Sequence, residues 1–284
     1  MKPLSMQARE AIGRQYARTH ASQTVKATLG AVKGVCEFLR TTYGLQRIEN
    51  IKPHMVEKFI AHRQAAGVSA VTLTRDATAL RMIADGVGKA DMIPKTNAAL
   101  GINRDTAARY NPTTANTDKL AEIRSALVDR AERTGLAADK ALVAAYDVRA
   151  EFGLRANESF MSRVREDEYG NLKLEVLGAK GGRPRELDAR SESQIRALEQ
   201  YRATSKEIGN HFGKLIPPHM SARQMYDHQR NTIANAGGTR TNGANMHSQR
   251  HKYAQERTAV GTAAAEVSQE LGHNREEVVN HYVK

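Results

Sequence analysis

The chain has 284 residues, enough for two domains with separate cores, and its 40% hydrophobic and 26% charged content is that of a globular protein. No run approaches the ~18 apolar residues of a membrane span; Met1-Lys2-Pro3-Leu4 opens no secretory signal, and one cysteine, Cys36, excludes an internal disulfide or a cysteine zinc site and fits a reducing cytoplasm. Lys and Arg number 43 against 31 Asp and Glu, a net charge of +12, which points to a polyanionic partner, most often nucleic acid.

In chain order, a helix is expected between about Ser5 and Thr19. Val25, Leu29, Val32, Cys36 and Leu39 recur at steps of four and three, the spacing of one helical face, and Gly44 stands where a C-terminal glycine belongs. Pro53 suits the first turn of the next helix, with Val56, Phe59 and Ile60 inward, and Ser69 can cap a helix carrying Leu73, Ala77, Leu80 and Ile83. This helical bundle ends near Gly86. Pro94, Gly101, Pro112 and Thr113 to Asn116 then read as a linker, with some helix possible from Asn103 to Tyr110, and the domain boundary falls near 110. Residues 1–110 hold 17 basic and 8 acidic residues, so they carry three-quarters of the excess charge.

Beyond the boundary, Asp118 to Glu132 and Ala137 to Phe152 read as helices. Asn171 to Leu177 alternates polar and apolar like a strand; Gly178, Gly181 and Gly182 mark a turn, and Arg185-Glu186-Leu187 begins the return strand. Helical patterns resume at Ser191, interrupted by a glycine-rich, flexible loop from Ala236 to Asn245. Asn274 with Glu277 resembles a capping box opening a last helix, with Tyr282 two turns in.

Four strings in this half can carry chemistry: Gly153-Leu154-Arg155-Ala156-Asn157-Glu158; Lys180 at the hairpin turn; His247-Ser248-Gln249-Arg250-His251; and Leu271-Gly272-His273, followed by Tyr282. Each has an ordinary reading alone. Arg155 can pair with Glu158 at helical spacing, Lys180 can be a turn lysine, the histidines can be solvated, and Tyr282 can anchor a helix. His247 and His251 also have a zinc-helix spacing. Ser248 replaces the catalytic Glu of zinc proteases, however, and no carboxylate cluster supplies the other ligands.

Taken together and in order, the strings resemble the tyrosine recombinase (phage integrase) family of DNA strand-exchange enzymes. That signature runs Gly-x-Arg-x-x-Glu, a hairpin lysine, His-x-x-Arg-His, Leu-Gly-His and a nucleophilic tyrosine. Here 25 residues separate Arg155 from Lys180, 23 separate Arg250 from His273, and 9 separate His273 from Tyr282. The resemblance spans nearly the whole chain. It implies a mainly α fold with a small β-hairpin or sheet in the catalytic domain. The layout would be a small helical DNA-binding domain (1–110) and a catalytic domain (111–284), closing as a C-shaped clamp on duplex DNA.

The resemblance also assigns roles. Arg155 and Arg250 would clamp the scissile phosphate, bidentately as arginine can. Lys180 would be the general acid, and His247 and His273 would bond the phosphate or manage the tyrosine proton. Tyr282 would form a 3′-phosphotyrosyl link. Glu158 would steady Arg155 or His247, and His251 would be structural. No metal or other cofactor is required. The N-terminal charge fits phosphate contacts, with Arg14, Lys26, Lys33, Arg40, Arg75 and Arg81 as candidates. Expected partners are double-stranded DNA, a homotetramer on two sites (monomer or weak oligomer when free) and an accessory directionality factor; no membrane is involved. The setting would be a bacterial or phage-derived cytoplasm, at the nucleoid, with integration or excision of a mobile element as the task. Family members usually continue beyond the tyrosine, whereas Lys284 follows Tyr282 by two residues. A DNA-binding protein of the same fold without strand cleavage is the alternative.

Overall fold

The computed structural model describes residues 2–20, 22–103, 113–178, 184–273 and 275–283, without the side chains of Arg14, Gln15, Ala17, Ser22 and Gln23. The expected helix beyond Asn103, the hairpin lysine Lys180, the cap residue Asn274 and the Arg14 side chain lie outside that description. The chain divides into two units, Met1–Thr106 and Ala107–Lys284.

The first unit is built on a 22-residue helix, α3 (Ser22–Tyr43), whose Val32, Val35, Cys36 and Leu39 are buried on one face. It stops at Gly44, which takes a left-handed conformation (φ 60) and donates its N–H to Arg40 O. Pro53 begins α4 (Pro53–Ala65), where its missing N–H would have no partner anyway. Ser69 caps α5 (Ala70–Gly86), its hydroxyl accepting the Thr72 N–H. The helix expected over Ser5–Thr19 is two, α1 (Leu4–Ile12) and α2 (Arg14–Thr19), because Gly13 at φ 82 breaks the run. A Cβ on Gly86 would stand 2.3 Å from Ala11 O, so only glycine allows α1 this close to α5.

The stretch read as a linker from 87 belongs to this unit's core instead. Ile93, Leu100 and Ile102 are buried among α3, α4 and α5 residues. Arg81 clasps the stretch, with Nε donating to Pro94 O and Nη1 to Asn97 Oδ1, both at 2.9 Å. Scattered prolines and glycines made the segment look like a tether; three apolar side chains with no water-free place elsewhere hold it down.

In the second unit α7 (Ala137–Phe152) is the centre. Ala141, Ala144, Ala145 and Val148 are buried along it, small enough for α6 (Thr117–Thr134), α9 (Glu192–Glu207) and α11 (Ser248–Ala259) to pack on it closely. The short helix α8 (Ala156–Met161) follows, then an antiparallel sheet ordered β1 (Arg163–Glu166), β2 (Leu172–Val176), β3 (Arg185–Asp188). Val164, Leu174 and Leu187 stand in register across it. The hairpin expected from the alternation is β2–β3, and β1 is an added strand. Capping boxes or caps at Ser191 and Ser221 start α9 and α10 (Ala222–Asn235).

Residues 236–245, expected to be a flexible loop, are packed. Ala244 is buried, Asn242 Nδ2 donates to Gly237 O, and Gly243 O accepts the N–H of Asn116, the cap of α6. The last elements are α12 (Ala264–Glu270) and a 3₁₀ turn, Glu276–His281. Tyr282 therefore sits just past a 3₁₀ turn rather than two turns into an α-helix. Among the described residues no helix is long and apolar enough to cross a membrane.

Ile93→Ala is expected to destabilise the chain by about 2–5 kcal/mol in urea melts, as for a core isoleucine. A change within about 0.5 kcal/mol, the range of surface substitutions, would restore the linker reading.

Candidate active site

The site begins where α7 ends. Gly153 closes that helix at φ 61, and a Cβ there would lie 2.5 Å from Tyr253 Cδ1 and 2.9 Å from Leu271 Cδ2. With no Cβ, the backbone comes near enough for Gly153 O to accept the Arg250 Nη1 proton at 2.7 Å. Arg250 lies in the first turn of α11 and is 1% exposed. Its Nη2 donates to Leu271 O at 2.6 Å, which ties the guanidinium to the end of α12. The other edge of the guanidinium faces two chemical groups. Nε donates to the Tyr282 hydroxyl at 3.0 Å, and Nη2 also donates to His273 Nε2 at 3.0 Å.

Arg155, 118 residues earlier in the chain, approaches the same imidazole. It precedes α8, and its Nη2 stands 3.2 Å from His273 Nε2. Arginine only donates, so Nε2 is an acceptor and the imidazole proton resides on Nδ1. Tyr282 Oη, which accepts from Arg250, also lies 3.4 Å from that Nε2. Burial, with the positive charges of Arg250, Arg155 and Arg185, holds His273 down at about 4, so it is neutral at neutral pH.

Glu158 is buried at 2% exposure and serves Arg155 twice, accepting its backbone N–H at 2.9 Å and its Nη1 at 2.8 Å. The reach back to the residue before the helix is half of a capping box. Glu158 also accepts from both terminal nitrogens of Arg185, at 3.4 and 3.2 Å. Burial alone would raise its pKa; the charge and hydrogen bonds of Arg185, then those of Arg155, outweigh it and bring the carboxyl to about 2.

Of the residues selected from sequence, Arg155, Arg250, His273 and Tyr282 meet at one point, with Glu158 directly behind Arg155. His247 is not on a turn of α11 but immediately before it, solvent-exposed, its N–H bonded to Asn245 Oδ1 at 2.7 Å. Loss of part of its hydration, then the charges of Arg149, Arg250 and Arg155, lower its pKa. Glu158 makes no hydrogen bond to it; its partners are the two arginines. The His251 ring lies 5.0 Å from the Tyr282 ring, and its Nδ1 is buried with no hydrogen-bond partner among the described residues. Burial, then His247 and Arg250, lower the His251 pKa. Among the described residues no group of three or more His, Cys, Asp or Glu is placed to hold a metal ion.

Two further residues reach the site without having been selected. Arg185 is one; the other is Arg149, fully buried on α7 with neutral partners, the Gln249 amide oxygen and the Tyr146 ring 5.2 Å away. Burial brings Arg149 down to about 10. The signal for Arg149 was available: a lone arginine on the inward face of an apolar helix, four residues before Gly153. In the first unit, Lys26, Lys33 and Arg40 recur every seven residues along α3 and are exposed, as is Arg75 on α5, whereas Arg81 is spent on Pro94 and Asn97.

A family model described as Integrase matches residues 112–256, just over half of the chain and ending before His273. A second, described as phage integrase, N-terminal, matches residues 5–93. Among solved structures, the chain resembles XerH site-specific recombinase bound to difH substrate in a pre-cleavage complex, with 16% identity over 99% of this chain and 81% of that one and a TM-score of 0.65. A lambda integrase tetramer bound to a Holliday junction gives 14% identity, 99% and 77% coverage and a TM-score of 0.66. The Tn1549 transposon integrase in complex with transposon right end DNA gives 12%, 100% and 95%, and 0.59. At these identities the likeness is one of fold. A sequence comparison with curated proteins finds no match.

The depressed Glu158 carboxyl makes stability pH-dependent. Its folded value of about 2 lies below the ordinary 4.5, so the stabilisation is complete above the ordinary value and is lost as pH falls from there toward about 2. Glu158→Gln is expected to melt lower than wild type at pH 7 and to lose part of this acid dependence, measured as melting temperature against pH. Parallel profiles for the two proteins would contradict the ion-pair geometry.

Proposed function

This chain belongs to the integrase family of tyrosine recombinases, site-specific enzymes that break and rejoin DNA, and we propose that Tyr282 is its nucleophile and duplex DNA its substrate. The observation that carries this reading is the convergence on one phenol: Arg250 Nε at 3.0 Å and His273 Nε2 at 3.4 Å from Tyr282 Oη, with Arg155 Nη2 3.2 Å from the same imidazole nitrogen.

In the proposed reaction Tyr282 Oη attacks the scissile phosphorus and the 5′-oxygen departs, leaving a 3′-phosphotyrosyl bond. Arg155 turns from His273 to the non-bridging oxygens, where charge accumulates in the transition state, and Arg250, held in place by its two carbonyls, offers them the Nη2 proton now directed at His273. A cation already at the phenol oxygen favours the negative charge it develops during attack. The phenolic proton passes to His273 Nε2, whose basicity rises once the phosphate charge offsets the two arginines. Lys180, assigned by its place in the family pattern, protonates the 5′-oxygen, and His247 bonds the phosphate. Glu158 steadies Arg155, and His251 supports the Tyr282 ring. Attack by a 5′-hydroxyl reverses each step, and the retained bond energy makes ATP unnecessary. Arginines supply the charge that a divalent ion would otherwise bring, so no metal or other cofactor takes part.

The first unit supplies binding in this reading. The exposed row of Lys26, Lys33 and Arg40, together with Arg75, contacts backbone phosphates. Four subunits act on two sites through a Holliday junction, integrating or excising a mobile element in a bacterial or phage-derived cytoplasm.

Genomic DNA captured as covalent adduct is expected to yield the cognate site. A nicked duplex carrying that site should then trap a protein–DNA adduct with wild type, none with Tyr282→Phe, and a cleavage rate lowered about 10²- to 10³-fold with Arg250→Ala. Chelator should leave the yield unchanged. Equal binding by wild type and Tyr282→Phe without cleavage by either supports the non-cleaving alternative; chelator-sensitive cutting without an adduct supports a metal nuclease around His247 and His251.

A further inference from the structure

Arg185 lies outside the residues that the reaction above employs, yet its side chain touches the two halves of the site at once. It opens β3, with 11% of its side chain exposed. Its Nε donates to Glu270 O at 2.9 Å, the last residue of α12 and three before His273. Its Nη1 and Nη2 divide between the two carboxylate oxygens of Glu158, whose Oε1 also holds Arg155 Nη1 at 2.8 Å. The guanidinium fills the space beneath the turn at Gly272, where a Cβ would lie 2.6 Å from Nη1. Gly272 at φ 72 therefore meets two demands, the left-handed turn and the contact with Arg185.

We propose that Arg185 is a positioning residue for strand cleavage: one rigid fork sets the carboxylate that aims Arg155 and the turn that presents His273, and so fixes the separation of these two groups. This rests on the functional reading above. Nothing else among the described contacts joins Glu158 directly to the Glu270–His273 turn. Arg155 reaches His273 only through the imidazole edge that substrate would occupy, so when phosphate draws Arg155 away, Arg185 still ties Glu158 to that turn, alongside the Arg250 bonds to Gly153 O and Leu271 O. A planar fork with donors on three nitrogens can span a carboxylate and a carbonyl together; lysine, with donors on one nitrogen, cannot hold both in this geometry.

The charge acts too. The groups facing His273 are Arg155 just before α8, Glu158 from α8, Arg250 from α11, Arg185 from β3 and the Tyr282 hydroxyl, and Arg185 is among the cations that keep the imidazole neutral. A residue serving only the fold would change melting and leave these properties in place.

The test uses the full chain as Arg185→Gln and Arg185→Lys, with the nicked duplex carrying the site recovered from covalent adducts. With Arg185→Gln, the single-turnover cleavage rate per folded molecule is expected to fall about 10- to 100-fold, the effect of a misplaced group, while DNA affinity stays near wild type. His273, followed by NMR in the DNA-free protein, should titrate at higher pH than in wild type. Arg185→Lys should retain the low His273 titration and recover only part of the rate; it also carries the rate test should Arg185→Gln not fold. Wild-type cleavage rates in the variants, or losses explained by lowered affinity or unfolding alone, would overturn the proposal. If wild type itself forms no adduct, the functional reading fails rather than this inference, and an unshifted His273 titration in Arg185→Gln counts against the inference on its own.

Discussion

Arg250 is buried almost completely, and a buried guanidinium tolerates few unmet donors, since each one left without a partner costs about 1–3 kcal/mol. Its anchors are two backbone carbonyls, Gly153 O and Leu271 O, from the end of α7 and the end of α12. Those two bonds set the plane of the group. Once the plane is set, the Nε edge points at Tyr282 and the second Nη2 proton at His273. Gly153 is what lets this happen, because any side chain there would strike Tyr253 and hold the carbonyl away. Three segments far apart in sequence are thus brought into one site by the hydrogen-bonding needs of one side chain.

The choice of carbonyls over a carboxylate matters for chemistry. A carboxylate would orient Arg250 equally well but would cancel its charge. Held by neutral oxygens, Arg250 stays available to an anion, and Arg149, held by an amide and an aromatic ring, adds to the positive field. Arg155 and Arg185 share one carboxylate, Glu158, so the set remains net positive. Burial first, and then this positive field, lower the pKa of both His247 and His273. The site thus carries more positive charge than Glu158 alone neutralises.

Local signals in the sequence set the elements where local physics decides. Ser69 caps α5, Pro53 opens α4, Gly44 ends α3, and α7 runs between the residues its periodicity marked. Elsewhere, distant partners decide. β1 has one apolar residue in four and is a strand because β2 pairs with it. Residues 87–103 look like a tether but carry three side chains that the helical core takes in. Tyr282 follows a 3₁₀ turn where an α-helix was expected, and the loop at 236–245 is ordered by its bonds to the cap of α6.

The site divides the same way. Arg155, Arg250, His273 and Tyr282 stood out through the resemblance of their order and spacing to a family signature, and the structure brings these four side chains together. The sequence could not tell that Glu158 would bind Arg185 rather than His247, since Arg185 lies 27 residues from Glu158 and bonds a carbonyl 85 residues further along. Nor could it show that Tyr282 would already rest on Arg250 and His273. Side-chain identity sets what a group can donate, accept or attack; which partner it meets is settled only when packing closes loops of tens of residues.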